Sequence, residues 1–161
     1  MRKLFFFLLP LALLAVGCAH NLSDKSRDMA DRSVTFSMLR ENPDAYRGKF
    51  VMLGGTIADV SQTPEGVQLE IVQHDLDGRE RPDEATASAG RFMAITDKSL
   101  DLAKCRKDRL VSLAGEVTGK KVGQVQGAEY VYPVIAVKEL HLFKAGDEDN
   151  FHVWFPYGGG Q

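Results

Sequence analysis

Five stretches of β-forming sequence, separated by turn-forming residues, limit this chain more than any other feature. Residues 67–73 (VQLEIVQ) alternate, with Val67, Leu69 and Ile71 on one side and Gln68, Glu70 and Val72 on the other. In an extended chain successive side chains point to opposite faces, so this run predicts a half-buried strand. Residues 109–118 (RLVSLAGEVT) set Leu110, Ser112, Ala114 and Glu116 against Val111, Leu113, Gly115 and Val117. Residues 50–60 (FVMLGGTIADV), 91–96 (RFMAIT) and 129–143 (EYVYPVIAVKELHLF) supply the other three strands. Gly54-Gly55 inside an apolar run predicts a bulge or sharp bend, because glycine otherwise weakens a strand. Pro133 has no backbone donor and predicts an edge or bulge position in the last strand.

The connections are marked as clearly. Thr35 is placed to cap a short helix over residues 36–41, with Phe36 and Leu39 on one face. Pro43 ends it, since the residue before proline avoids the helical region. Thr63-Pro64-Glu65-Gly66 reads as a turn. Residues 74–90 form a long polar loop around Asp77-Gly78 and Pro82, and residues 119–127 form a second polar loop. Residues 100–105 (LDLAKC) predict a short helix with Cys105 on its apolar side. The order strand, strand, strand, short helix, strand, strand is that of the OB-fold, a five-stranded Greek-key barrel. The expected fold is therefore all-β, a small OB-like barrel over residues 34–144, with another small barrel or a sandwich as the alternative. Glycines 54 and 55 suit a barrel corner.

The start of the chain is an address. Arg2 and Lys3 precede an uncharged apolar run over residues 4–16, followed by Gly17 and Cys18. A basic n-region, a short apolar h-region and a small residue at the junction make a secretory signal. As a helix the run spans about 20 Å, short of the roughly 30 Å hydrocarbon core, which disfavours a lasting membrane span. Leu14-Ala15-Val16-Gly17-Cys18 resembles the bacterial lipobox. That resemblance implies diacylglycerol on the Cys18 sulfur, cleavage after Gly17 and acylation of the new amino group. An ordinary secretory signal with an incidental cysteine is the alternative. Two or three acyl chains make attachment effectively permanent, where one myristoyl chain is marginal. Ala19 follows the cysteine where an Asp would, by analogy with enteric bacteria, retain a lipoprotein in the inner membrane.

Cleavage removes residues 1–17 and leaves 144 residues, with 18 basic and 22 acidic side chains. A net charge of −4 carries no electrostatic footprint for nucleic acid. Residues 18–33 are polar and aperiodic and are expected to form a flexible tether. With Cys18 acylated, Cys105 is the one thiol left, expected to be buried and structural rather than reactive. Residues 145–161 form an aromatic and glycine-rich tail containing Phe151, Trp154, Phe155 and Tyr157. The tail either folds back over the barrel or faces a partner or membrane.

Leu39, Asn42-Pro43, Tyr46-Arg47-Gly48-Lys49, Val51, Gly54-Gly55 and Ile57 together resemble the start of the Slp family of bacterial outer-membrane lipoproteins. Residues 69–73 (LEIVQ), Gly90-Arg91-Phe92, Asp108-Arg109 before Val111, Gly115 and residues 130–134 (YVYPV) carry the resemblance onward. It covers roughly residues 34–143. Leu53 and Phe143 stand where the family commonly has tryptophan, and both keep the bulk. The resemblance implies a lipid-anchored protein of the outer membrane that faces the periplasm, associated with starvation or stress. It implies no reaction.

No catalytic constellation is visible in the sequence. His20, His74, His141 and His152 are scattered without metal-ligand spacing. Asp75-Leu76-Asp77-Gly78 lacks the later ligands of a calcium loop and reads as a hairpin turn. Lys120-Lys121 lies where OB-folds commonly bind ligands, but two lysines on an acidic domain do not make a nucleic-acid site. The expectation is an envelope-structural or partner-binding lipoprotein with no catalytic residues, metal or cofactor. Its partners would be the membrane, through the lipid, and an envelope protein or cell-wall component. The alternative is a periplasmic enzyme or small-ligand-binding protein with a site near His74, Asp75 and Asp77.

Overall fold

A computed structural model describes residues 20–143 and 151–154. Two short helices, α1 (Asp24–Met29) and α2 (Phe36–Glu41), precede six strands. These are β1 (Phe50–Thr63), β2 (Gly66–His74), β3 (Arg91–Thr96), β4 (Leu110–Val125), β5 (Ala128–Leu142) and β6 (Phe151–Trp154). The sheet order is β3-β2-β1-β4-β5-β6, and β3 pairs with β5 as well. That extra pairing closes the first five strands into an OB-like barrel. Its ladders are antiparallel except the closing one, which runs parallel from Met93 opposite Val134 to Ile95 opposite Ala136.

The alternating positions fill the barrel. Ile57, Leu69, Ile71, Phe92, Leu113 and Ile135 are fully buried in one cluster. Burying each such side chain contributes about 1.5–3 kcal/mol, which makes this interior the main stabilising element. Thr35 caps α2 as expected, its hydroxyl accepting from the Met38 amide at 3.3 Å. The helix delivers Phe36 onto Phe92, with ring centroids 6.0 Å apart. Pro43 ends α2 and begins a 3₁₀ turn, Pro43–Tyr46, that leads toward β1. Pro133 pairs with Lys120 of β4 and lies one residue short of the β3 contact. That is the edge position its missing donor requires.

Gly54 and Gly55 answer to crowding and not to a bulge at their own position. β1 pairs there with β2 on one side and β4 on the other, Gly54 facing both His74 and Ser112. A Cβ on Gly55 would overlap the Val72 carbonyl, and one on Gly54 would come within 2.9 Å of the Val111 carbonyl. The register shift of β1 comes later, between Ile57 and Asp59.

Three expectations are corrected. Residues 20–33 are no free tether: α1 forms there, Leu22 is 2% exposed and Ser26 is fully buried. A short polar segment gives no local sign of docking, because the two carboxylates that hold it lie more than fifty residues away. Residues 100–105 form a turn in place of a helix. The Asp101 carboxylate accepts from the Ala103 amide at 3.0 Å, and its carbonyl accepts from Lys104 and Cys105. Local capping of this kind competes with helix, and six residues cannot offset the cost of nucleation. Residues 119–127 are not a loop but the arms of a long hairpin, in which Val122 pairs with Val131 and Val125 with Ala128. Its outer part projects past the barrel, so both faces meet water and the sequence shows no alternation. The tail, too, is partly built into the sheet, because β6 pairs with β5 from Leu142 opposite Phe151 to Glu139 opposite Trp154.

Candidate functional site

β5 carries a bulge at Lys138, where the register moves from Val137 opposite Gly115 to Glu139 opposite Ala114. Leu140 and Leu142 then face the core, and Glu139 and His141 face away from it. Glu139 would be solvated on an uncovered barrel. Instead it is fully buried beneath α1, accepting from the Ser23 amide at 2.8 Å, the Ser23 hydroxyl at 2.7 Å and the Ser26 hydroxyl. A carboxylate withdrawn from water needs such charge-assisted bonds, each roughly twice as strong as a neutral one. Ser23 also caps α1 by accepting from the Ser26 amide, so one residue starts the helix and docks it.

A second buried carboxylate, Glu80, comes from the loop between β2 and β3. Its backbone sits in the left-handed region at φ 59°. Asp77 makes that turn: one of its carboxylate oxygens accepts from the amides of Arg79 and Arg81 at 2.8 and 2.9 Å. Leu76 and Pro82 bridge across it, which bears out the hairpin-turn expectation for Asp77-Gly78. Glu80 accepts from the Asn21 amide and meets His20 Nδ1, both at 3.0 Å, with Arg27 at 3.9 Å. Its carbonyl accepts from the buried Ser112 hydroxyl. Residues 20–27 are thereby joined to two buried carboxylates on different elements.

Beside this junction opens a cleft of about 350 Å³, lined by His20, Arg27, Arg32, Met52, Leu76, Asp77, Gly78 and Glu80. It brings together two guanidinium groups, of which that of Arg27 is paired with Asp24, two carboxylates, the His20 imidazole and the apolar Met52 and Leu76. The Arg27 Nε is buried in it without a hydrogen-bond partner among the described residues. Such a cleft suits a small group bearing an anion.

A second polar cluster lies on the outer side of β2, β3 and the hairpin. Glu70 pairs with Arg91 at 2.7 Å and accepts from the Tyr132 hydroxyl at 3.2 Å. Lys121 donates to Gln68 at 2.6 Å, and the Tyr130 and Tyr132 rings meet tilted at 58° with centroids 4.7 Å apart. Burial first, and the Glu70 charge second, push the Tyr132 hydroxyl above its ordinary pKa. Elsewhere, burial pushes the Cys105 thiol up to about 11, with Asp101 adding to it. The side chain is 1% exposed, which bears out the structural reading of this cysteine.

The residues singled out in the sequence are dispersed. Gly17, Cys18, Phe155 and Tyr157 lie outside the described residues. Phe151 and Trp154 lie in β6. His74 ends β2, and Asp75 accepts from the Gln73 side chain at 3.1 Å. Of His74, Asp75 and Asp77, only Asp77 lines the cleft. No group of three metal-ligating side chains occurs among the described residues. The sequence reading missed Glu80, Glu139, Ser23 and Ser26. Only the helix-start signature Ser23-Asp24 was legible.

The sequence model of the outer membrane lipoprotein Slp family matches residues 15–159. The chain belongs to that family. The match takes in the whole described barrel, α1 and the Gly17-Cys18 junction, and it places the protein among outer-membrane lipoproteins. A search of curated proteins finds no significant match. Among solved structures, a small single-stranded DNA-binding protein from Streptomyces coelicolor is similar at 11% identity and a TM-score of 0.35. That match covers 58% of this chain and 92% of the other.

Proposed function

We propose that this member of the Slp family is anchored in the outer membrane by lipid on Cys18, faces the periplasm, and serves an envelope-structural or partner-binding role connected with stress. The family match, which reaches across the Gly17-Cys18 junction, carries the reading. It is supported by the basic, apolar and small-residue order of residues 2–18. Among the described residues no helix is long and apolar enough to cross a membrane, and a lipid supplies attachment without one. Metabolic labelling with a radioactive fatty acid tests it. Wild type incorporates label and runs as a chain shortened by the signal, while Cys18→Ser incorporates none and keeps residues 1–17. Labelled lipid on Cys18→Ser would overturn the anchor.

The cleft favours a second reading as a small-ligand-binding protein, since about 350 Å³ is within the range of small-molecule pockets. Calorimetric titration with small phosphates and carboxylates tests it, with Arg32→Ala expected to weaken any binding seen. Absence of heat for both classes would overturn it.

A further inference from the structure

The length of free chain between the anchor and the domain decides how the domain meets the membrane. Were residues 19–33 a coil, the domain would wander over about 20–25 Å. Instead the chain is held from its first described residue: His20 and Asn21 by Glu80, Leu22 by burial, Ser23 by Glu139. Cys18 is two residues upstream of His20, so their Cα atoms are separated by at most about 7 Å. An acylated cysteine sits at headgroup depth, and the surface around His20 must sit there with it. That surface includes exposed Arg32, Asp77 and Gly78, which line the cleft, and the exposed Arg79 that follows them in the turn. Guanidinium groups pair with phosphate in a two-pronged geometry that few other side chains match. The opposite landmark is the tip of the β4–β5 hairpin at Gln126. It lies on the order of 40 Å along the strand from Ala114, the residue opposite Met52 of the cleft.

We infer that phospholipid headgroups are the partner of the face formed by His20, Arg32 and the Asp77–Arg79 turn, and that the domain stands on the bilayer with this face fixed toward it. The inference rests on lipid attachment at Cys18 and adds an orientation to it. The cleft opens at the headgroup layer, and the hairpin stands away into the periplasm.

Spin labels on the full lipidated protein in phosphatidylethanolamine–phosphatidylglycerol vesicles test this. Gly78→Cys places a label where a Cβ meets open space, and Glu129→Cys places one near the hairpin tip. Cys105, being buried, stays unlabelled. The label at 78 is expected to lose access to a water-soluble nickel chelate several-fold on vesicle attachment, and the label at 129 to keep it. A double variant, Ser23→Ala with Ser26→Ala, should loosen the docked segment and shrink the contrast. Protein that floats with the vesicles yet shows equal access at both sites overturns the orientation alone. Protein that fails to float overturns the anchor and the orientation together.

Discussion

Glu139 and Glu70 are both glutamates on outward positions of the same barrel, and they meet opposite fates. Glu139 is buried under α1 and bonded to two serines, whereas Glu70 pairs with Arg91 at a side-chain exposure of 19%. The difference lies in what covers each wall. The β1–β4–β5 wall carries residues 20–33 and the loop that holds Glu80, while on the β2–β3 wall the Glu70–Arg91 pair stays partly exposed. Burial turns a surface carboxylate into a docking post, because a charge in a poorly polarisable setting binds its donors strongly and tolerates their loss badly.

The largest expected effect breaks the covered wall. Glu139→Ala leaves the Ser23 and Ser26 donors buried without their acceptor, and should cost about 3 kcal/mol in chemical denaturation of residues 19–161. Residues 20–33 should also become open to limited proteolysis. Glu70→Ala, on the less covered wall, should cost less, about 1–2 kcal/mol, since it removes a partly exposed pair with Arg91 and one acceptor of the Tyr132 hydroxyl. Equal losses would mean that the two walls do not differ in kind.

A somewhat smaller loss comes from the seam that both walls share. Gly55→Val forces a side chain against the Val72 carbonyl in the β1–β2 ladder. The loss should be about 2–3 kcal/mol, as for overpacked sites, with binding to any envelope partner reduced only through unfolding. An unchanged denaturation midpoint would show that β1 and β2 can separate there freely.

The smallest effect is a pH dependence at the edge of the covered wall. Asp31 accepts from Lys49 at 2.8 Å, and its amide donates to the Phe50 carbonyl at 2.8 Å, fastening the link between α1 and α2 to β1. The Lys49 ammonium and then the Ser33 hydroxyl hold the Asp31 carboxyl down to about 2. A lowered folded pKa means the stabilisation is complete above the ordinary aspartate range and is lost as pH falls toward about 2. Wild type should therefore exceed Asp31→Asn in stability near neutrality, and the gap should close between roughly pH 4 and pH 2. A gap of constant size across that range would assign the contact no linkage.

The barrel was legible because its strands alternate. A period of two in residues 67–73 and 109–118 leaves one face to bury, and the strand order permits few ways to bury it. Residues 119–127 failed the same test because the outer hairpin has no core to alternate against. Residues 100–105 failed because apolar spacing does not report the competing Asp101 turn. The candidate site was hidden for a different reason. Asp77 was noticed as a turn residue, but Ser23, Ser26, Glu80 and Glu139 are ordinary surface residue types, spread over 117 positions from Ser23 to Glu139.

The sequence by itself determined the family, the five barrel strands and the cap on α2. Each of those depends on neighbours within a few residues, or on a periodicity that short-range sterics enforce. Only the tertiary structure decided that the segment after Cys18 is clamped to the barrel, since the carboxylates that hold it, Glu80 and Glu139, are more than fifty residues away and Glu139 faces it only because of the bulge at Lys138. Whether a polar side chain meets water or another polar group is a property of the assembled surface, and no local pattern encodes it.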